Sequence, residues 1–217
     1  MKKLLLQFSS AALLSMALTV NVFAQTAEDA LETVKKQVTV VLEDLKANKT
    51  HYQNNPAALN QMIDSKMVPY FDIDSMARLV LGKNWKNASE TQRNEFLNEF
   101  KQLIMRTYSS SLLDYTNAKV TYGKLHEVTG KKRPRTQIDV TVTNSNGDVY
   151  PLMLKMAYND GQWKGYDVSL DGLSVITSYR SSIGNEVAEK GIQAVIDEIK
   201  VLNEKGEVLN EKGEISK

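Results

Sequence analysis

The sequence predicts an α+β fold, and three observations carry that prediction. Apolar residues recur at helical spacing from about residue 28 to Tyr115. From Val120 the period changes to two, with tight-turn signals at Asn146-Gly147 and Asn159-Asp160-Gly161. After Asp171-Gly172 the helical spacing returns. Four strands joined by tight turns make an antiparallel meander, and the helices before and after it must cover one of its faces. The expected architecture is a four-stranded antiparallel curved sheet with helices packed on one face.

The chain of 217 residues opens with Lys2-Lys3, an apolar stretch from Leu4 to about Val22, and Val22-Phe23-Ala24 before Gln25. A charged start, an apolar middle and a small residue at the cleavage position describe a secretory signal peptide cut between Ala24 and Gln25. Gln7, Ser9, Ser10, Ser15 and Asn21 interrupt the stretch, unlike a membrane-spanning run of about 20 apolar residues. Residues 1–24 are therefore expected to be a signal peptide, 25–202 one domain, and 203–217 a polar, disordered tail. That tail repeats LNEKGEV as LNEKGEI, and two short copies cannot build a repeat core.

There is no cysteine. An exported chain without disulfides is held by its own core, and no cysteine follows the cleavage site to carry lipoprotein acyl chains. The formal charge is +1 over the full sequence and −1 once Lys2 and Lys3 are removed. That balance argues against nucleic acid as a partner. The basic cluster Lys131-Lys132-Arg133-Pro134-Arg135 reads as a solvated tip between strands, with anionic headgroups or an acidic partner as the alternative.

Each element has its own signals. Leu31, Val34, Val38, Val41/Leu42 and Leu45 form one stripe of a helix over 28–47. Asn55-Pro56 opens a helix through Met67. Asp72 caps a third, closed by Gly82. Ser89 and Gln92 fit a capping box for a long helix to about Tyr115. Its inward stripe is Phe96/Leu97, Phe100, Leu103/Ile104, Thr107/Tyr108, Ser111/Leu112 and Tyr115. In the sheet, Ile138, Val140 and Val142 share a face, as do Tyr150, Leu152, Leu154, Met156 and Tyr158. Tyr166, Val168 and Leu170 alternate with Asp167, Ser169 and Asp171, so the strand is expected to be apolar on one side and wet on the other. Leu173, Ile176, Tyr179/Arg180 and Ile183 begin a helix, and another runs from about Ala188 to Leu202. A strand meeting a helix at a corner, both with apolar faces, is suited to walling a pocket.

Catalytic signals are weak. His51 and His126 fall in a linker and a strand, without metal-ligand spacing to other candidates. No nucleophile elbow, phosphate loop or dinucleotide fingerprint is present. Asp72 and Asp74 sit where acidic side chains favour a helix start, and Asp167 and Asp171 lie on the wet side of the last strand. No catalytic residue, metal or cofactor is assigned.

Pro69-Tyr70-Phe71-Asp72, Leu79-Val80-Leu81-Gly82, Trp85, Gln92-Arg93 and Phe96 to Tyr115 resemble the helical half of the MlaC family, also called the toluene-tolerance auxiliary family. Trp163, Tyr166-Asp167, Gly172, Ser174-Val175-Ile176-Thr177, Tyr179-Arg180 and Lys190-Gly191-Ile192 are similar to its C-terminal half. The order and spacing of these pieces, over about residues 28–202, make the resemblance specific. It implies an NTF2-like α+β fold enclosing an apolar cavity. It further implies a periplasmic, non-enzymatic phospholipid carrier, expected to be monomeric. Such a carrier shuttles lipid between an outer-membrane lipoprotein–porin complex and an inner-membrane ABC-type transporter, maintaining outer-membrane lipid asymmetry.

The expected cavity lining is Phe71, Leu81, Trp85, Ile104, Tyr108, Leu152, Leu154, Met156, Tyr166, Val168, Val175, Ile176 and Tyr179, each of which could instead be ordinary core. Met76, Met105 and Met153 could adapt such a cavity to different chains. Arg180 reads as a surface ion-pair residue, with a phosphate as the alternative. An NTF2-like enzyme acting on a small apolar substrate is the competing class, and it needs a carboxylate or histidine inside the pocket.

Overall fold

The computed structural model describes residues 26–206, 208–209 and 215–216; the cleavage point between Ala24 and Gln25 lies outside them. Helix α1 (Ala27–Ala47) starts at a capping box in which Thr26 and Asp29 satisfy each other's backbone amides. A short α2 (Lys49–Asn54) follows, so His51 is helical and not in a linker. The Asn55 side chain caps α3 (Pro56–Lys66), accepting from Ala58 N. Asp72 caps α4 (Ile73–Leu81), which stops at Gly82 with a positive φ of 53°. A single turn, α5 (Asn84–Asn87), precedes α6 (Glu90–Leu112), whose Ser89/Gln92 box is formed as expected.

The sheet follows, with β1 (Lys119–Glu127), β2 (Arg135–Thr143), β3 (Val149–Asn159), β4 (Gln162–Leu170) and β5 (Leu173–Ser174) in sequential antiparallel order. The fifth strand is a correction: Leu173 pairs with Leu170 before the helix begins, so α7 (Val175–Lys190) starts two residues later than the spacing implied. α8 (Ile192–Lys205) likewise begins after Gly191, whose φ of 82° separates it from α7. It runs past Leu202 to a left-handed cap at Gly206.

Asn203 therefore belongs to the packed domain. It is buried, and its amide donates to Glu99 O at 3.0 Å and Glu99 Oε2 at 2.7 Å. Within the duplicated tail, β6 (Val208–Leu209) straddles the junction of the copies and pairs with β7 (Ile215–Ser216). That pairing sets Val208 opposite Ser216 and Leu209 opposite Ile215.

Two register shifts bend the sheet. On β1 an extra residue lies between Tyr122 and Leu125, and on β4 one lies between Gly165 and Asp167. Three apolar clusters hold the helices and sheet. One joins α4, α6, α7 and α8 through Phe96, Phe100, Ile183 and Val195. A second joins α1 to the sheet through Val34, Ile138 and Trp163, and a third joins α1, α2 and α3 through Leu45, Tyr52 and Leu59.

Candidate functional site

Between α1, the C-terminal half of α6, the start of α7 and the inner face of the sheet lies a cavity of about 750 Å3. Helix α1 presents Val34, Val38, Val41, Leu42 and Leu45. The sheet presents Val120, Val140, Val142, Leu152, Leu154, Met156, Val168 and Leu170, which antiparallel pairing places on one face. Tyr108, Leu112 and Tyr115 enter from α6 and its following turn, and Met67, Tyr70 and Phe71 from the α3–α4 connection. The exposed lining residues Tyr108, Ser111, Asp171 and Leu173 mark the mouth.

Of the thirteen positions expected to line a cavity, Phe71, Tyr108, Leu152, Leu154, Met156, Val168, Val175 and Tyr179 face this space. The other five do not. Leu81, Ile104 and Ile176 are committed to the α4–α6–α7–α8 cluster. Trp85 packs there too, with the guanidinium groups of Arg78 and Arg93 at 5.2 and 5.6 Å from its ring.

Tyr166 is turned away by the bulge. Leu154 pairs with Val168, Lys155 with Asp167, and Met156 with Gly165, leaving Tyr166 as the extra residue. Strict alternation would place Tyr166 beside Val168, but one inserted residue re-aims it to the outer face. The inner position falls to Gly165, which has no Cβ because Phe71 occupies that space. A Cβ there would come within 3.0 Å of Phe71 Cε1. The backbone fixes this contact: Asp72 N donates to Gly165 O at 2.8 Å.

The methionine expectation also shifts. Met76 and Met105 pack into helical clusters, while Met67 and Met156 line the cavity. Asp167 is not wet but 4% exposed, because the start of α7 closes over it. It accepts hydrogen bonds from Lys155 Nζ at 2.8 Å, Ser174 Oγ at 2.7 Å and Ile176 N at 3.2 Å. Arg180 has no carboxylate within ion-pair distance among the described residues, so it is not the surface ion-pair residue its sequence suggested.

Of the single elements, α1 supplies the largest share of the lining missed in the sequence. Its stripe was legible as an amphipathic face, but nothing local said what that face meets. Polar groups in the cavity wall are few. Gln37 donates its amide to Lys66 O, tying α1 to the end of α3. Tyr179 donates to Thr107 Oγ1 at 3.4 Å. Burial raises its phenol above the ordinary tyrosine value, and that hydrogen bond opposes the shift. Tyr115 meets Tyr150 edge to face at 5.8 Å. Burial raises the Tyr115 phenol, and Tyr150, Asp114 and Asp148 push it further in the same direction. These phenols are neutral near neutral pH. Asp171, at the exposed β4–β5 turn, is the one carboxylate in the lining among the described residues, and no histidine is among them there.

A sequence model of the family described as MlaC protein matches residues 35–201. The chain belongs to the MlaC family. Among curated relatives of the family, the chain is 29% identical over 172 residues to toluene tolerance protein ttg2D of Pseudomonas putida, covering 79% of this chain and 77% of the relative. It is 25% identical over 164 residues to the intermembrane phospholipid transport system binding protein MlaC of Haemophilus influenzae, covering 74% and 75%. Its fold matches a phospholipid-binding protein from Ralstonia solanacearum solved in complex with a phospholipid, with a TM-score of 0.74 and 25% identity over 82% of this chain and 98% of that one. The family match runs from within α1 to within α8 and so takes in most of the elements that build the cavity.

Proposed function

We propose that this protein carries phospholipid in the cavity between α1, α6, α7 and the sheet. Its acyl chains would lie on the apolar wall and its headgroup at the mouth near Asp171 and Leu173. The observation that carries this reading is the apolar cavity of about 750 Å3, open to solvent at one side. Energetics favour such a design. Two sixteen-carbon chains hold roughly 30 methylenes, so on the order of 24 kcal/mol favours keeping them from water, at about 0.8 kcal/mol each. The headgroup loses nothing by staying wet. A carrier therefore needs apolar area and few polar anchors, and its affinity has to remain close to that of the membrane for release to occur.

The family and the phospholipid-bound structural relative support this reading. We place the carrier as a monomer in the periplasm, accepting and delivering lipid between an outer-membrane lipoprotein–porin complex and an inner-membrane ABC-type transporter. Since transfer is set by differences in affinity, direction comes from those partners. Carriage also accounts for the lining better than catalysis does, because its one carboxylate, Asp171, sits in the exposed turn at the mouth. Organic extraction of protein purified without detergent, followed by mass spectrometry, tests the proposal. Phospholipid is expected in the extract. A protein that yields none, even after mixing with liposomes, would refute it.

A further inference from the structure

A second, smaller cleft of about 310 Å3 lies on the other side of the sheet, between outward side chains of β2, β3 and β4 and residues of α4 and α7. Lys155 and Asp167 belong to it, while their neighbours Leu154 and Val168 line the cavity, so the two spaces are separated by the thickness of the sheet. Four cations from distant parts of the chain converge there: Lys131, Arg135, Lys155 and Arg180. Among the described residues Asp167 is the one carboxylate in its lining, and Lys155, Ser174 and the Ile176 amide already engage it.

The remaining three cations have no ion-pair partner among the described residues. The Arg135 guanidinium lies over the outward Tyr166 ring at 5.2 Å, and its Nε is buried with no hydrogen-bond partner. The Arg180 guanidinium lies against Gly82 at the end of α4, so near that a Cβ there would be 3.0 Å from Nη2. A helix C-terminus favours a cation at that place. The β4 bulge that removes Tyr166 from the cavity thus supplies the platform on which Arg135 rests.

Buried donors are normally satisfied, and an orphan calls for an explanation. Like charges gathered in a recess of a chain with formal charge +1 do not reflect general basicity. We propose that this cleft docks an acidic segment of a partner protein, with carboxylates entering between Arg135 and Arg180. Arginine forks match carboxylates in two-point geometry. The recess decides between a peptide segment and a bilayer. Arg135 is only partly exposed, its Nε is enclosed, and the Asp167 side chain on the floor is 5% exposed, so a protruding acidic side chain reaches between the guanidinium groups more readily than a flat headgroup plane does. The site lies across the sheet from the cavity, so docking and cargo need not compete, and the proposal does not depend on what fills the cavity.

The test uses the mature chain and a fluorescently labelled hexaglutamate peptide, followed by anisotropy. Saturable binding that weakens with added salt is expected. In the double substitution Arg135→Glu/Arg180→Glu, affinity falls at least about tenfold, while co-purified phospholipid stays unchanged in the folded variant. Should Arg135→Glu fail to fold, Arg180→Glu alone, at an exposed helical position, should still weaken binding several-fold. Absence of peptide binding, or binding that these substitutions leave intact, overturns the proposal. So does substitution-sensitive binding to phosphatidylglycerol vesicles without peptide binding, which would assign the cleft to a membrane surface.

Discussion

At the scale of single residues, the bulge at Tyr166 decides which side chains meet the cavity. Val168 and Tyr166 are two apart and share a face under simple alternation, yet the structure puts Val168 inside and Tyr166 outside. A charge at Val168 would sit in the apolar wall, where an unpaired carboxylate costs several kcal/mol. Val168→Glu is therefore expected to reduce co-purified phospholipid by at least about tenfold, whereas Tyr166→Gln leaves it near the wild-type amount. Lipid-to-protein ratio by mass spectrometry on folded variants separates the two. Equal loss in both would mean that the bulge does not re-aim Tyr166.

Asp167 affords a second residue-scale expectation. Removing its carboxylate strips Lys155, Ser174 and the Ile176 amide of an acceptor. Breaking a buried pair costs about 3–5 kcal/mol, and the partial exposure of Lys155 reduces that. Asp167→Ala should lower unfolding stability by about 2–3 kcal/mol, read as a shift of the urea midpoint with unchanged slope.

At the scale of elements, α6 serves two surfaces in succession. Phe96, Phe100 and Leu103 are fully buried in the helical cluster, while Tyr108, Ser111 and Leu112 line the cavity one to three turns later. One continuous stripe was legible in the sequence because both surfaces exclude water, and burial against side chains leaves the same pattern as a cavity wall. The α1–α2–α3 corner is the other element-scale device. Asp44 accepts hydrogen bonds from Tyr52, Asn48 and Lys66, which tie three helices together. Burial pushes the Asp44 carboxyl up, but these hydrogen bonds, Lys66 first, outweigh it and hold it below the ordinary aspartate range. A depressed folded pKa contributes stability that is fully present above the unfolded value, about 3.9, and is lost as pH falls through the folded value. Urea midpoints measured from neutral to acidic pH should show Asp44→Asn less acid-sensitive than the wild type in that window. Parallel curves for the two proteins would remove Asp44 from the acid response.

At the scale of the whole molecule, the proposed carriage of lipid in the cavity predicts that cargo is coupled to stability. A ligand bound only by the folded state raises the unfolding free energy by RT ln(1 + L/Kd), where L is its free concentration, about 2.7 kcal/mol when L is a hundred times Kd. For a domain of this size that corresponds to a rise of roughly 5–10 °C in Tm. Delipidated protein is expected to melt lower than lipid-loaded protein by that order, and to recover on incubation with liposomes. Calorimetry on both forms checks it; identical melting in the two would argue that the bound lipid does not occupy the core-facing cavity.

The sequence by itself determined the order of helices and strands, the caps at Asn55, Asp72 and Ser89, the turns of the meander, and the one-sided alternation of β2 and β3. Those features rest on local propensity and on period, which a linear chain displays directly. It also carried enough ordered motifs to reveal the family. Only the tertiary structure decided that α1 supplies a wall of the cavity, that Leu81, Trp85, Ile104 and Ile176 belong to the core instead, and that Tyr166 faces outward with Arg135 upon it. The reason is physical. Burial is rewarded whatever the apolar partner is, and it has no direction. Whether a stripe meets a helix, a sheet or a space open to lipid depends on elements distant in sequence. A single extra residue in β4, silent in composition and period, reverses the side on which a side chain emerges.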